Sequence, residues 1–283
     1  MEMVQTKVIA LAATLLLACS CQYSMSWQNY RMDGHRTGVG VPNADNVPQA
    51  LGVIDGDVYT APNGRTYAKG SATYAAAADM IGVQDQMARV KEVIGHAPEA
   101  MVRRSPESAI SDWVVDGMMA EVARLTKRKV DVGITNFGGI RVDIPEGDVL
   151  LDDLLSMLPF RNSLCYVALK GSDLQAIFDQ MAATRPQVVG GVKLVFNDGK
   201  VESALVGGKP IDPKKTYGVA TSDFLLDGGD GLTVGKNARE LIVTDKYIID
   251  AILPYARRLT AEGKPIAYQT DGRVVVKTQE EKQ

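Results

Sequence analysis

Two glycine-containing loops carry polar side chains that could bind a ligand with anionic and hydroxyl groups. Asn136 and Arg141 bracket a Gly-Gly pair at the end of a predicted strand, and Asp230 lies within a Gly-Gly-Asp-Gly segment. Arginine offers a planar, bidentate donor to a phosphate or carboxylate, and asparagine offers an amide to the edge of a base. An ionised aspartate accepts hydrogen bonds and suits a ribose diol. Taken singly, each loop could equally be an ordinary structural glycine turn.

Two phenylalanines lie close to these loops in the sequence. Phe160 follows Pro159 at the end of a predicted short helix, and Phe224 precedes the glycine-rich segment. Two rings separated by a ring's thickness can stack on both faces of a purine or pyrimidine, and each such contact contributes about 1–3 kcal/mol. The alternative is that both rings belong to the hydrophobic core, where most phenylalanines lie.

The elements that must position these residues form a mixed pattern from residue 92 to residue 277. A helix with an apolar stripe is expected from Ser105, as N-cap, to about Lys127, and a hairpin is expected around Asp198. Further helices are predicted over 151–157, 172–183 (capped by Ser172) and 246–262, and further strands over 130–135, 163–169, 217–221 and 273–276. Because strands and helices mix without strict alternation, the fold class is α+β (mixed α/β).

Residues 1–18 have the pattern of an export signal. Lys7 and the free amine precede an apolar run that is too short to span a bilayer permanently. The segment ending at Cys19 is similar to a bacterial lipobox, which predicts that Cys19 is lipidated. The protein is then exported and anchored to a membrane of the bacterial cell envelope. The alternative is a secretory peptide that is cleaved nearby, before Cys21.

The next part of the sequence predicts a tether and a linker. Residues 19–72 are rich in Gly, Asn, Asp, Pro and Ser, which favours an extended tether. Residues 73–91 follow helical spacing and predict a linker helix. Residues 278–283 form a tail. Cys165 lies in an apolar run, so a buried structural thiol is expected.

Charge and histidine content exclude two kinds of site. The net charge of -3 and the lack of a basic stretch argue against nucleic-acid binding. Only two histidines occur, His35 and His96, and neither has metal-ligand neighbours at a useful spacing. We therefore expect no metal site and no cofactor in this chain.

Together, in their order and spacing, three segments resemble the substrate-binding C-terminal domain of the 5'-nucleotidase/UDP-sugar hydrolase family: Asn136–Arg141, Leu158–Asn162 and Gly228–Gly231. The similarity runs from about Lys91 to Val276 and implies a 5'-nucleotidase C-terminal-domain-like fold. It also implies a nucleotide pocket lined by Arg104, Asn136, Arg141, Phe160, Phe224 and Asp230, with Arg103 as a possible substitute for Arg104. Asp112 stands where the family usually has Asn, at a face expected to meet the catalytic domain.

Enzymes of that family also carry an N-terminal metallophosphatase domain rich in His and Asp. The resemblance therefore implies the nucleotide- or nucleoside-recognising half of a phosphohydrolase that acts in nucleotide catabolism. A separately encoded metallophosphatase subunit would supply the divalent metals, no catalytic residue is assigned, and the isolated chain is expected to be inactive. The alternatives are a non-catalytic nucleotide-binding lipoprotein and an enzyme that acts by an unrecognised route.

Overall fold

The computed structural model describes residues 46–277, and the chain divides into two units, Met1–Gly82 and Val83–Gln283. The predicted signal segment, Cys19, His35, the tether before residue 46 and the tail lie outside the described residues. Within residues 46–277, no helix combines the length and the apolar character needed to cross a membrane.

The described part of the first unit is a small antiparallel sheet with helices before and after it in sequence. The helices are α1 Val47–Leu51 and α2 Ala72–Gly82, and the strands are β1 Val53–Asp55, β2 Val58–Thr60 and β3 Thr66–Ala68. Tyr59 stacks on Tyr67 with ring centroids 6.0 Å apart, and its hydroxyl donates to the Leu51 carbonyl at 2.8 Å. The sequence predicted an extended tether here, but its turn residues close two short hairpins. Gly56 and Gly64 adopt the positive φ values that these turns require.

The described part of the second unit mixes strands and helices. Its helices are α3 Gln84–Met87, α4 Ala109–Thr126, α5 Leu151–Met157, α6 Gly171–Ala183 and α7 Ile248–Ala261. Its strands are β4 Val93–Ala97, β5 Val132–Thr135, β6 Gly147–Leu150, β7 Ser163–Lys170, β8 Val188–Gly190, β9 Val192–Asn197, β10 Lys200–Val206, β11 Lys209–Pro210, β12 Thr216–Ser222, β13 Glu240–Tyr247 and β14 Val274–Lys277. The α+β class is confirmed. The predicted linker helix is divided, because α2 ends at Gly82 and α3 begins at Gln84.

A five-stranded sheet with the order β13-β7-β12-β5-β8 forms the centre of the second unit. β12 pairs with β5 in parallel, with Val219 opposite Val132, and the other neighbours in this sheet are antiparallel. A second sheet has the order β11-β10-β9-β14 and contains the predicted hairpin, and β4 pairs with β6. The parallel pair matters most for the site, because two parallel strands end at the same edge of a sheet.

The central sheet separates two hydrophobic cores. Along β7, Tyr166 and Ala168 belong to one core, and Val167 and Leu169 belong to the other, as the period of a strand requires. Residues of α4, α5 and α7 complete the first core, and residues of α6 complete the second. Cys165 is fully buried, and burial raises the pKa of its thiol to about 12. A buried thiol that stays protonated is what we expected of a structural cysteine.

Two predicted helix starts are wrong. α4 begins at Ala109 with Ser108, not Ser105, as its N-cap. Ser108 accepts a hydrogen bond from the Ser111 backbone at 3.4 Å, and the Ser111 hydroxyl accepts one from the Ser108 backbone at 3.0 Å. This reciprocal pair satisfies two N–H groups that a helix start leaves without a partner. α6 begins at Gly171, so Ser172 lies inside its first turn and does not cap it.

A buried arginine joins the last described strand to α4. Arg273 donates to the two oxygens of Asp116 at 2.9 and 3.0 Å, and it contacts Asp271 at 3.0 Å and Asp112 at 3.4 Å. Burial raises the pKa of the Asp112 carboxyl to about 8; Arg273 opposes this shift, and a hydrogen bond with Glu107 adds to it. Asp112 is only 2% exposed, so the expectation that it lies at a domain-facing surface is wrong.

We expect the Asp112→Asn variant to gain stability relative to the wild type as the pH rises. The folded protein keeps the Asp112 proton up to about pH 8, whereas the unfolded chain releases it near the usual pKa of 3.8. The contribution of Asp112 to wild-type stability therefore falls as the pH rises between those values. Asparagine cannot ionise, and its amide can donate to Glu107 at any pH.

Denaturant unfolding of both proteins at about pH 5 and about pH 9 measures this difference. The free energy of unfolding of the variant minus that of the wild type should be larger at the higher pH than at the lower pH. The Asp245 side chain is 85% exposed and provides the control, since Asp245→Asn should give the same difference at both pH values. A difference for Asp112→Asn that stays constant or decreases would contradict a protonated carboxyl at this position.

Candidate functional site

The two polar loops meet at one end of the central sheet. Asn136 directly follows β5, and its carboxamide Nδ2 donates to Asp230 Oδ2 at 2.6 Å. Asn136 is buried, while the Asp230 side chain is partly exposed. A Cβ on Gly139 would lie 2.9 Å from Asn136 Oδ1, so the absence of a side chain leaves room for this carboxamide. The glycine turn thus allows the Asn136 side chain to occupy this position.

Arg141 connects the Asn136 loop with the end of α5. Its backbone N–H donates to the Met157 carbonyl at 2.9 Å, and its Nη1 donates to the Gly138 carbonyl at 3.3 Å. The Arg141 guanidinium carbon lies 5.8 Å from the centroid of the Phe160 ring, within the range of a cation–π contact. The structure therefore places a cation and an aromatic ring side by side beside the first loop.

Both candidate aromatic rings are half exposed, Phe160 at 47% and Phe224 at 45%. The alternative that they are core residues is therefore wrong. Phe224 lies against the second loop, because a Cβ on Gly229 would be 2.9 Å from Phe224 Cδ1 and 2.0 Å from its carbonyl oxygen. Phe224 is thus fixed next to Asp230, and its stacking on a base stays a prediction.

Arg185 is part of this site, although the sequence did not indicate it. Its Nη2 donates to Asp230 Oδ1 at 2.8 Å, so Arg185 and Asn136 each supply one oxygen of the carboxylate with a donor. Gln187 Oε1 accepts from the Phe137 backbone N–H at 3.1 Å and holds the segment after α6 against the Asn136 loop. A single arginine between a helix end and a proline carries no periodic signal by which it could be found.

Of the two arginines before α4, it is Arg103 that contacts the Asn136 loop. Its Nη1 donates to the Ile140 carbonyl at 2.5 Å and to the Phe137 carbonyl at 3.1 Å. Its backbone N–H donates to Asp143 at 2.8 Å. Arg104 is exposed, and its side chain makes no hydrogen bond or ion pair within residues 46–277. The assignment of Arg104 to the pocket stays a prediction from the resemblance.

Several buried polar atoms at this end of the sheet lack a hydrogen-bond partner in the described part of the chain. Asn136 Oδ1 follows β5, Thr221 Oγ1 and Ser222 Oγ end β12, and Gln187 Nε2 precedes β8. β8 pairs with β5 so that Val188 lies opposite Thr135, which brings Gln187 to the same edge. The site thus combines half-exposed rings with buried polar groups that keep bonding capacity.

One group of carboxylates between residues 46 and 277 has oxygens that could converge on a cation, and it contains none of the residues above. The oxygens of Glu107, Asp112 and Asp271 lie within 4.8 Å of one another. The Arg273 guanidinium contacts two of these carboxylates, at 3.4 and 3.0 Å. Glu107 accepts from three backbone N–H groups between residues 271 and 274. These contacts describe a structural network that joins α4 to β14.

Comparison with protein families gives the match that decides the family. The model described as "5'-nucleotidase, C-terminal domain" matches residues 93–237, a range that includes all the residues of the candidate site.

The chain belongs to the 5'-nucleotidase C-terminal domain family.

Relatives of this 5'-nucleotidase C-terminal domain are much longer proteins. An apyrase from Tabanus yao is 30% identical over 168 residues, which cover 51% of this chain and 29% of the apyrase. A 5'-nucleotidase from Vibrio cholerae is 32% identical over 121 residues, which cover 41% of this chain and 22% of that enzyme. The chain therefore spans less than a third of the length of either relative.

Solved structures agree with the fold. A 5'-nucleotidase precursor from Thermus thermophilus superposes with a TM-score of 0.64 at 25% identity, over 79% of this chain and 50% of that chain. The NAD nucleotidase from Haemophilus influenzae superposes with a TM-score of 0.54 at 20% identity, over 78% of this chain and 48% of that chain, and supports the fold alone. The resemblance drawn from the three sequence segments is confirmed.

Proposed function

We propose that this chain recognises a nucleotide or nucleoside as the substrate-binding half of a 5'-nucleotidase-type phosphohydrolase in nucleotide catabolism. One observation carries the proposal. The Asn136–Asp230 hydrogen bond of 2.6 Å joins two loops, and each of these loops has a half-exposed phenylalanine beside it. Membership of the 5'-nucleotidase C-terminal domain family supports it.

Each side chain has a role in this proposal. Phe160 and Phe224 offer ring faces to the base, and a base–aromatic contact of this kind is strong and tolerant of base identity. Asp230 accepts hydrogen bonds from the ribose hydroxyls, as acidic residues do in dinucleotide sites. Arg141 offers charge-assisted donors to a phosphate, with Arg104 as a second cation, and Asn136 holds Asp230 in place.

We expect Phe224→Ala to weaken adenosine binding by about 1–3 kcal/mol, the contribution of one stacking ring. The melting temperature should change little, because the ring is already 45% exposed. Phe178, which is fully buried, provides the contrast. Its change to alanine should lower the free energy of unfolding by about 3–5 kcal/mol.

Calorimetric titration with adenosine and thermal melts of both variants test this. Unchanged adenosine affinity together with a large loss of stability in Phe224→Ala would contradict a base-stacking role. It would leave Phe224 as a packing residue of the loop.

We propose further that a separately encoded metallophosphatase subunit supplies the hydrolytic half. Two histidines in the whole sequence are too few for the His-rich dinuclear site of such a phosphatase. No catalytic residue and no cofactor is assigned to this chain, and divalent metals are expected in the partner. A nucleotide- or nucleoside-binding lipoprotein without a catalytic partner is the second candidate, because the site described above would serve either role.

The purified chain alone should not hydrolyse AMP or a UDP-sugar in the presence of divalent metals, because ligands for a metal-activated water are lacking. Hydrolysis should appear when a metallophosphatase subunit encoded beside its gene is added, and a chelator should abolish it. Chelator-sensitive turnover by the chain alone would contradict the proposal. Nucleoside binding without turnover in the mixture would favour the non-catalytic alternative.

The anchor is a proposal of its own. We propose that Cys19 is lipidated and holds the exported protein at a membrane of the bacterial cell envelope. Cys19→Ser should then move the protein from the membrane fraction to the soluble fraction, and Cys21→Ser, two residues away, is the matched control. Retention of both variants at the membrane would contradict lipidation at Cys19.

A further inference from the structure

We propose that Arg185 makes the ribose end of the site an anion-binding position, so that the site takes nucleotides with a phosphate on the 2' or 3' hydroxyl. This inference rests on the proposed function, which places the ribose at Asp230. It names the class of ligand from the position of Arg185, a residue that the sequence did not indicate.

The first step concerns charge. An ionised Asp230 alone would accept hydrogen bonds from a ribose diol and would repel a phosphate on the same sugar. Arg185 lies 2.8 Å from Asp230 Oδ1 and compensates that negative charge, while Asn136 occupies Oδ2 at 2.6 Å. Both carboxylate oxygens are therefore already supplied with donors. A phosphate on the ribose that approaches this pair therefore contacts a guanidinium and not an uncompensated carboxylate.

The second step concerns bonding capacity. The Arg185 side chain is 64% exposed, and within residues 46–277 only its Nη2 is engaged. A guanidinium carries five N–H donors in a planar fork that matches the oxygens of a phosphate. Arg185 can therefore keep its contact with Asp230 and still offer donors to a ligand.

The third step concerns position. Arg185 lies two residues before Gln187, whose carboxamide accepts from the Phe137 backbone at 3.1 Å. The ion pair with Asp230 restrains the side chain in addition. A cation that is already held in place loses less conformational freedom when the ligand binds. In dinucleotide sites, an acidic residue accepts from a free ribose hydroxyl, and where the sugar carries a 2'-phosphate a nearby arginine accommodates it instead.

The two arginines then divide the ligand between them. Arg141 lies beside Phe160, and Arg185 lies beside Asp230. In the proposed function, Arg141 serves a phosphate on the 5' side, whereas Arg185 serves one on the 2' or 3' side. The chemical class is a ribose-phosphorylated nucleotide.

Calorimetric titration of the full chain with adenosine and with adenosine 2'-, 3'- and 5'-monophosphate tests the inference. The 2'- or the 3'-monophosphate should bind about tenfold tighter than adenosine, the effect of one charged hydrogen-bonding contact. This advantage should fall as salt is added, because the contact is exposed. Arg185→Gln keeps a polar chain of similar reach and should abolish the advantage.

Arg239→Gln is the matched control and should retain the advantage. Arg239 is exposed, and its backbone pairs with Ala168 at the opposite end of β7 from the site. Thermal melts establish that each variant is folded. Inorganic phosphate serves as a separate probe, and it should bind far more weakly than the nucleotides.

The outcomes separate this inference from the proposed function. Adenosine binding without a gain from a 2'- or 3'-phosphate overturns the role of Arg185 and leaves nucleoside recognition intact. A gain that survives Arg185→Gln, or inorganic phosphate binding as tight as the 3'-monophosphate, also overturns it. If the folded chain binds neither adenosine nor any of the monophosphates, both the inference and the proposed function fail.

Discussion

The parallel pairing of β5 with β12 is the constraint on which the site depends. Gly133 lies opposite Ala220, and both strands run toward the same edge of the sheet. The loops that follow therefore emerge side by side, one with Asn136 and the other with Phe224 and Asp230. Antiparallel pairing would send the two loops to opposite edges. A hydrogen bond between residues 94 positions apart in sequence then holds the loops together.

That pairing requires close packing around the sheet. A Cβ on Gly133 would lie 2.6 Å from a methyl group of Val115, so α4 can approach the sheet only because β5 has glycine there. At the other end of β12, a Cβ on Gly218 would lie 2.0 Å from the Lys129 carbonyl oxygen. Arg273 connects α4 with the last described strand through an ion pair with Asp116 and a contact with the buried, protonated Asp112. Such pairs add little net stability when they are complete, but the loss of one partner leaves an uncompensated buried charge.

Local patterns in the sequence were enough to predict α4, its apolar stripe and the β9–β10 hairpin, because helical period and turn chemistry are short-range signals. They did not predict β13, an edge strand whose exposed positions include the apolar Leu241 and Val243, while Glu240 is half-buried. Such a strand lacks the alternation that a sequence pattern can show. The contact between Arg185 and Asp230 spans 45 residues, so only the fold could reveal it. Four of the six predicted site residues, Asn136, Arg141, Phe160 and Asp230, came from three short segments taken together, since each segment alone could be an ordinary turn. Arg104 and Phe224 were placed only by the family resemblance.

Two polar clusters in the described part of the second unit differ in how their members are paired. Around Arg273, the guanidinium pairs with the carboxylates of Asp116 and Asp271 and contacts the buried, protonated Asp112, as expected of a structural network. At the end of the central sheet, Asn136 Oδ1 and Gln187 Nε2 are buried without a partner among residues 46–277, and two phenylalanines leave almost half of their surface exposed. A buried polar group without a partner costs about 1–3 kcal/mol, and an exposed ring forgoes about 25 cal/mol for each Å² that it does not bury. Among residues 46–277, four of the eight buried polar atoms without a hydrogen-bond partner lie in this region, beside both half-exposed rings. Since departures from good local packing in a natural protein tend to coincide with functional sites, this end of the sheet, and not the Arg273 network, is where a ligand is expected.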